Sequence, residues 1–144
     1  MFYLLDINVL IASADPAHQF HATFNKWYAS KQLPALATCP ITENGFLRIY
    51  GHPDYPGGPG SPAMARAPLM AIRNRPTSIF LADDVSLLDK SRFLQLKNAT
   101  PKQLTDLYLL GLALRHQGKF VSFDRGIQAT WVEGGRAGIE LISN

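Results

Sequence analysis

With 144 residues, 47% of them hydrophobic and 17% charged, the chain has the make-up of one soluble globular domain, residues 1–144, able to bury its own core. A lone cysteine, Cys39, excludes an internal disulfide and fits a reducing cytosol; there is no apolar run of about 18 residues to cross a membrane, and no basic leader at the N-terminus, so a cytoplasmic protein is expected. Net charge is +3, that of an ordinary mildly basic protein, but if four of the eleven acids share one pit, fourteen basic residues face the other seven, and a surround of +7 would attract a polyanion such as RNA.

Phe2 to Leu5 is a short apolar run with aromatic content, the mark of a strand buried on both faces in a parallel sheet, and Asp6 ends it. Residues 7–13 have room for one or two helical turns. Asp15-Pro16 reads as a cap followed by proline at the first helical position, and Phe20, Phe24, Trp27 and Tyr28 follow at helical spacing. The spacing predicts a helix over 16–31, its rings serving as core or dimer contacts rather than as stacking platforms for bases. Residues 36–39 form a strand candidate, and 41–50 read as helix with Glu43 near its start. The Pro/Gly-rich stretch 51–62 is a loop, and Ser61-Pro62 opens another helix reaching to about Asn74.

Residues 78–82 read as strand, with Asp83-Asp84 placed to cap a turn over 85–88. Thr100-Pro101-Lys102-Gln103 is the strongest helix start in the sequence, a capping box with proline at the first position, and Gly118 is placed to close that helix. Strands at 119–123, ending at Asp124, and at 139–142 complete the chain. Strands alternating with helices predict a three-layer α/β/α sandwich with a mainly parallel sheet.

On that frame Asp6 and Asp124 each follow a strand, where open α/β sheets bind their ligands. Asp106 sits early on a helix and Glu43 on the first turn of another. Carboxylates gathered together raise one another's pKa. A divalent cation relieves the repulsion, and oxygen-only donors favour Mg²⁺, with Mn²⁺ as substitute, over zinc. His18, His21, His52 and His116 show no zinc-site spacing with Cys39. Taken singly, each acid also has a bland reading: Asp6 as a strand-end cap, which the polar break with Asn8 two residues later argues against, Glu43 and Asp106 as solvated charges at helix starts, and Asp124 as a turn residue.

Four segments resemble, in order and spacing, the motifs of PIN-domain ribonucleases of the VapC toxin branch. They are Leu4-Leu5-Asp6-Ile7-Asn8-Val9, Thr42-Glu43-Asn44-Gly45-Phe46, Gln103-Leu104-Thr105-Asp106-Leu107 and Val121-Ser122-Phe123-Asp124-Arg125. The resemblance implies an Mg²⁺-dependent endoribonuclease, the toxin of a type II toxin–antitoxin pair, acting as a homodimer and blocked by a cognate antitoxin. It implies Asp6, Glu43, Asp106 and Asp124 as catalytic and metal-holding acids, with Asn8, Thr105 and Ser122 as polar supports. Arg48, Arg73, Arg75 and Arg125 are candidates to line an RNA path.

Three other readings compete: a non-toxin RNA-processing nuclease, a catalytically silent scaffold binding RNA or a partner, and a haloacid-dehalogenase-like phosphatase. The phosphatase needs a second Asp where Asn8 stands.

Overall fold

All four residues of β1, Phe2–Leu5, are buried, which requires cover on both faces of the strand. In the computed structural model, which describes residues 1–143, β1 lies at the centre of a five-stranded sheet. Its partners are β2 (Ala35–Thr38), β3 (Ile79–Phe80), β4 (Lys119–Ser122) and β5 (Ile139–Leu141), in the order β3-β2-β1-β4-β5 with every pairing parallel. The α/β/α sandwich expected from the alternation of elements is the one observed.

Alternate side chains of the central strands feed two cores. Tyr3, Leu5 and Val121 pack with α1 (Ile7–Ala14), α2 (His21–Ser30), α3 (Pro40–Tyr50) and α4 (Pro62–Arg73). Phe2, Leu4 and Phe120 face α5 (Pro101–Arg115), whose residues 106–113 are all buried, joined by Leu81, Phe93 and Val132. The short α6 (Gly135–Gly138) lies just before β5. Where α3 crosses α1, a Cβ on Gly45 would lie 2.3 Å from Ile7 Cδ1, so glycine lets the two helices close up beside Asp6.

Several boundaries differ from the sequence reading. The helix expected over 16–31 begins only at His21. Asp15 does not start it: its N–H donates to Ile11 O at the end of α1, while its carboxylate accepts from Ala17 N and from Tyr55 Oη. Residues 16–20 therefore form turns, because the expected cap is committed to the preceding helix and to the 51–62 loop. Only Ile79–Phe80 of 78–82 pairs as strand. Asp84 accepts from His116 Nε2 at 2.9 Å rather than capping the following turn, where Ser86 Oγ accepts from Leu88 N. The left-handed residue closing α5 is Gln117, at φ 66°, not Gly118. Gly118 is needed for space instead, since a Cβ there would meet the Phe2 ring at 2.3 Å. The thiol-bearing Cys39 leaves β2 to become the N-cap of α3.

Candidate active site

Two strands leave the sheet side by side in register, β1 into Asp6 and β4 through Phe123 into Asp124. They lie where the strand order reverses, the crevice in which open parallel sheets bind ligands. The N-terminal turns of α5 add Lys102, Thr105 and Asp106. Together with Asn8, Arg48, Ser122 and Phe123, these residues line a cavity of about 270 Å³. Three of the four acids expected to meet thus converge, from segments 118 residues apart in sequence at the widest.

Each aspartate has a distinct environment. Asp6 is the N-cap of α1: its Oδ1 accepts from Ile7 N at 2.7 Å, and its Oδ2 accepts from Ser122 Oγ at 2.7 Å. Ser122 also accepts from Asp124 N at 3.0 Å, so one hydroxyl ties the two strand ends together. Burial raises the Asp6 pKa above the ordinary carboxylate value, more than the bonds from Ser122 and Ile7 lower it. Asp106 is buried, and its carboxyl receives no hydrogen bond among the described residues. Burial, then the charges of Asp6 and Asp124, push its carboxyl up to about 7 against the opposing pull of Lys102. Asp124 moves the other way, held low by the Gly126 N–H at 2.7 Å and by the Lys102 ammonium. Two carboxyls of the cavity are thus raised and the third lowered, and perturbed acidities of this kind concentrate at functional sites.

Glu43, the fourth acid, does not line this cavity. Its Oε2 accepts from Thr38 Oγ1 at 2.7 Å and pairs with Arg73 Nε at 3.4 Å. Arg73 in turn lies over the Phe80 ring, 4.4 Å from its centroid. Among the polar supports, Ser122 bonds Asp6 directly, whereas Asn8 and Thr105 line the cavity with no hydrogen bond to an acid among the described residues.

The four candidate arginines do not form one track. Arg48 lines the cavity and the groove beside it with Asn44 and Thr105. Arg73 is engaged as described. Arg75 lies over Tyr28, its buried Nη1 without a hydrogen-bond partner among the described residues, and Arg125 borders a separate hollow with Phe20 and Phe123. Sequence reasoning missed Lys102, whose Nζ donates to Asp124 Oδ2 at 3.2 Å. Its position four residues before Asp106, one helical turn away on the same face, was the available signal.

Among the described residues, no three carboxylate, histidine or cysteine side chains stand as a ready-made metal cluster. The donor set nonetheless suits Mg²⁺ or Mn²⁺. All the donors are oxygen, one cation from the protein already sits against them, and Mg²⁺ commonly takes only one or two carboxylates and keeps its waters. Among the described residues no helix is long and apolar enough to cross a membrane.

No family model matches the chain. It is 40% identical over 131 residues to Ribonuclease VapC44 of Mycobacterium tuberculosis, covering 91% of this chain and 92% of that one. It is 36% identical over 140 residues to Ribonuclease VapC38 of the same organism, covering 97% of each. Among solved structures it resembles Mycobacterium tuberculosis VapC20, described as a sarcin-ricin loop cleaving toxin, with a TM-score of 0.64 over 90% of this chain and 95% of that one. At 14% identity that last likeness speaks for the fold alone.

Proposed function

The chain belongs to the VapC ribonuclease family, and from that membership we propose that it is an Mg²⁺-dependent endoribonuclease toxin acting in the cytoplasm and held in check by a cognate antitoxin. The observation that carries the reading is the convergence of Asp6, Asp106 and Asp124 on one cavity at the sheet's switch point, with the Asp106 carboxyl raised to about 7.

In this reading Asp6, Asp106 and Asp124 hold the divalent cation. Bound there, the cation would lower the pKa of a water and offset charge on the phosphodiester oxygens. The protein's own groups do the rest. Ser122 fixes the Asp6 carboxylate, leaving Oδ1 capped by Ile7 N and Oδ2 aimed by the hydroxyl. The Asp106 carboxyl, raised to about 7, is partly protonated near neutral pH, so it would have to give up that proton to hold a cation. Arg48, on the cavity wall with no ion-pair partner among the described residues, is positioned to hold an RNA phosphate. Glu43, oriented through Oε2 by Thr38 and Arg73, serves as the outer, fourth carboxylate.

A homodimer is part of the proposal, resting on family membership. The rings of 16–31 do not argue for it, since Phe24 and Trp27 of α2 are buried within the chain and Phe20, just before α2, packs on Phe123 at 4.7 Å. Light scattering at micromolar concentration tests it.

The activity is tested by incubating total bacterial RNA with the purified protein and Mg²⁺ and mapping new 5′ ends. Discrete cuts that vanish with EDTA and in Asp106→Asn are expected. Cleavage that persists in excess EDTA would overturn the metal mechanism. Expression without a partner separates toxin from housekeeping nuclease: growth should stop with the wild type and continue with Asp106→Asn.

A further inference from the structure

Lys102 stands where helix electrostatics disfavour it. It is the second residue of α5, and a cation in the first turn opposes the helix dipole. No acid occupies that turn to offset it. The compensation comes from across the cavity. Lys102 Nζ donates to Asp124 Oδ2 at 3.2 Å, and its charge also acts on Asp106 and Asp6, the other two carboxyls of the cavity. One ammonium thus serves three acids carried by three separate segments.

The side chain is also free to leave. It is 73% exposed, and its bond to Asp124 is its only hydrogen bond among the described residues. Lysine suits such a part: a compact, strongly hydrated charge with three donors on a flexible stem, rather than a rigid fork committed to one carboxylate. An exposed ion pair of this kind contributes little to stability, so moving it costs little.

We propose that Lys102 is the chain's own counter-ion for the acidic cavity, which yields Asp124 to an arriving divalent cation and then holds a phosphate of the RNA at the cavity mouth. The inference rests on the reading of the cavity as a divalent-cation site. The two parts belong together because both cations compete for one oxygen. Without the divalent cation, Asp124 Oδ2 is held by Lys102 Nζ. A dication on the same carboxylate would offset two of the cavity's negative charges and loosen that hold, which frees the ammonium for a phosphate of the substrate backbone at the rim. Such a residue pre-forms the cavity without blocking it.

The test uses the full-length protein as wild type, Lys102→Met and Lys102→Arg, with folding checked by circular dichroism. Mn²⁺ binding is measured by calorimetry in the absence of RNA. Lys102→Met removes the competitor and is expected to bind Mn²⁺ about two- to five-fold more tightly, the range of an exposed ion pair. Steady-state cleavage of an RNA the wild type cuts should then show KM raised on the order of ten-fold, with kcat changed less, from loss of a charged phosphate contact. The salt slope of RNA binding should fall by about 0.7, one phosphate contact on a single strand. Lys102→Arg keeps the charge in a fork that holds Asp124 more firmly, so it should bind Mn²⁺ no more tightly than wild type while its salt slope stays at the wild-type value. A wild type that binds no Mn²⁺ overturns the cation reading of the cavity, and this inference with it. A wild type that binds Mn²⁺, with Lys102→Met no tighter or with an unmoved KM, overturns this inference alone.

Discussion

Ser122 Oγ donates to Asp6 Oδ2 at 2.7 Å although 116 residues separate the two in sequence. The contact exists because β1 and β4 are parallel neighbours, with Leu5 opposite Val121. Ser122 follows Val121 and Asp6 follows Leu5, so both reach the same level of the sheet edge. The side chain is fully buried, and while its proton goes to Asp6 the hydroxyl oxygen accepts from Asp124 N as well.

Ser122→Ala should therefore leave a buried carboxylate oxygen and the half-buried Asp124 N–H unpaired, at a cost of about 1–3 kcal/mol. Cleavage or metal affinity should fall on the order of 10–100-fold, as for other groups that orient metal-holding side chains. Urea denaturation and Mn²⁺ calorimetry measure both; unchanged Mn²⁺ affinity would show that Asp6 needs no orienting hydroxyl.

Asp106 makes stability depend on pH in a definite direction. Folded, its carboxyl keeps a proton up to about 7, whereas an aspartate in the unfolded chain loses it near 3.8. Between those values the folded state binds more protons, so in EDTA the stability this residue contributes is full at acid pH and is lost as pH rises through 7. Asp106→Asn removes that slope. The variant should be more stable than wild type at pH 8, on the order of a few kcal/mol at most, and converge with it near pH 4. The Asp6 carboxyl, also raised, leaves a residual slope of the same sign. Urea midpoints from pH 4 to 8 decide the matter; a wild type that gains stability on the variant as pH rises would contradict it.

Glu43 and Asp106 should separate in experiment. Glu43 is held by Thr38 and Arg73 outside the cavity wall, so Glu43→Gln should slow RNA cleavage while Mn²⁺ uptake survives. Asp106→Asn should lose both. Abolished Mn²⁺ uptake in Glu43→Gln would mean that the glutamate swings inward to hold the cation.

Far from the cavity, Trp27 Nε1 donates to Glu140 Oε2 at 2.6 Å, and Lys31 Nζ lies 3.0 Å from the same oxygen. Burial works against the Glu140 charge, but these two partners win and hold its pKa below the ordinary value. The pair fastens α2 to the edge strand β5. Trp27→Phe should lower stability by about 1–3 kcal/mol through loss of a charge-assisted bond, with kcat unaffected. The wild-type contribution should fade as pH falls through the lowered Glu140 pKa. A variant with wild-type stability would show the bond to be dispensable.

The sequence by itself determined the parallel α/β frame, the acids that end β1 and β4, and the start of α5 at Thr100. Those features are local. Apolar runs, the polar break after them and the Thr100–Gln103 capping box act through neighbours a few residues away, and each is observed. The tertiary structure decided what depends on partners remote in sequence. Asp15-Pro16 has the local form of a helix start, yet Tyr55, 40 residues on, claims the carboxylate and the helix waits until His21. Glu43 has the spacing of a site acid, yet Arg73 on α4 and Thr38 on β2 hold it aside. Lys102 reads as a solvated charge beside a helix cap, and becomes part of the cavity only because β4 carries Asp124 to within 3.2 Å of it. Charge and hydrogen-bonding capacity are written into single residues. Which group satisfies them depends on sheet order and helix packing, which bring together side chains that no local pattern connects.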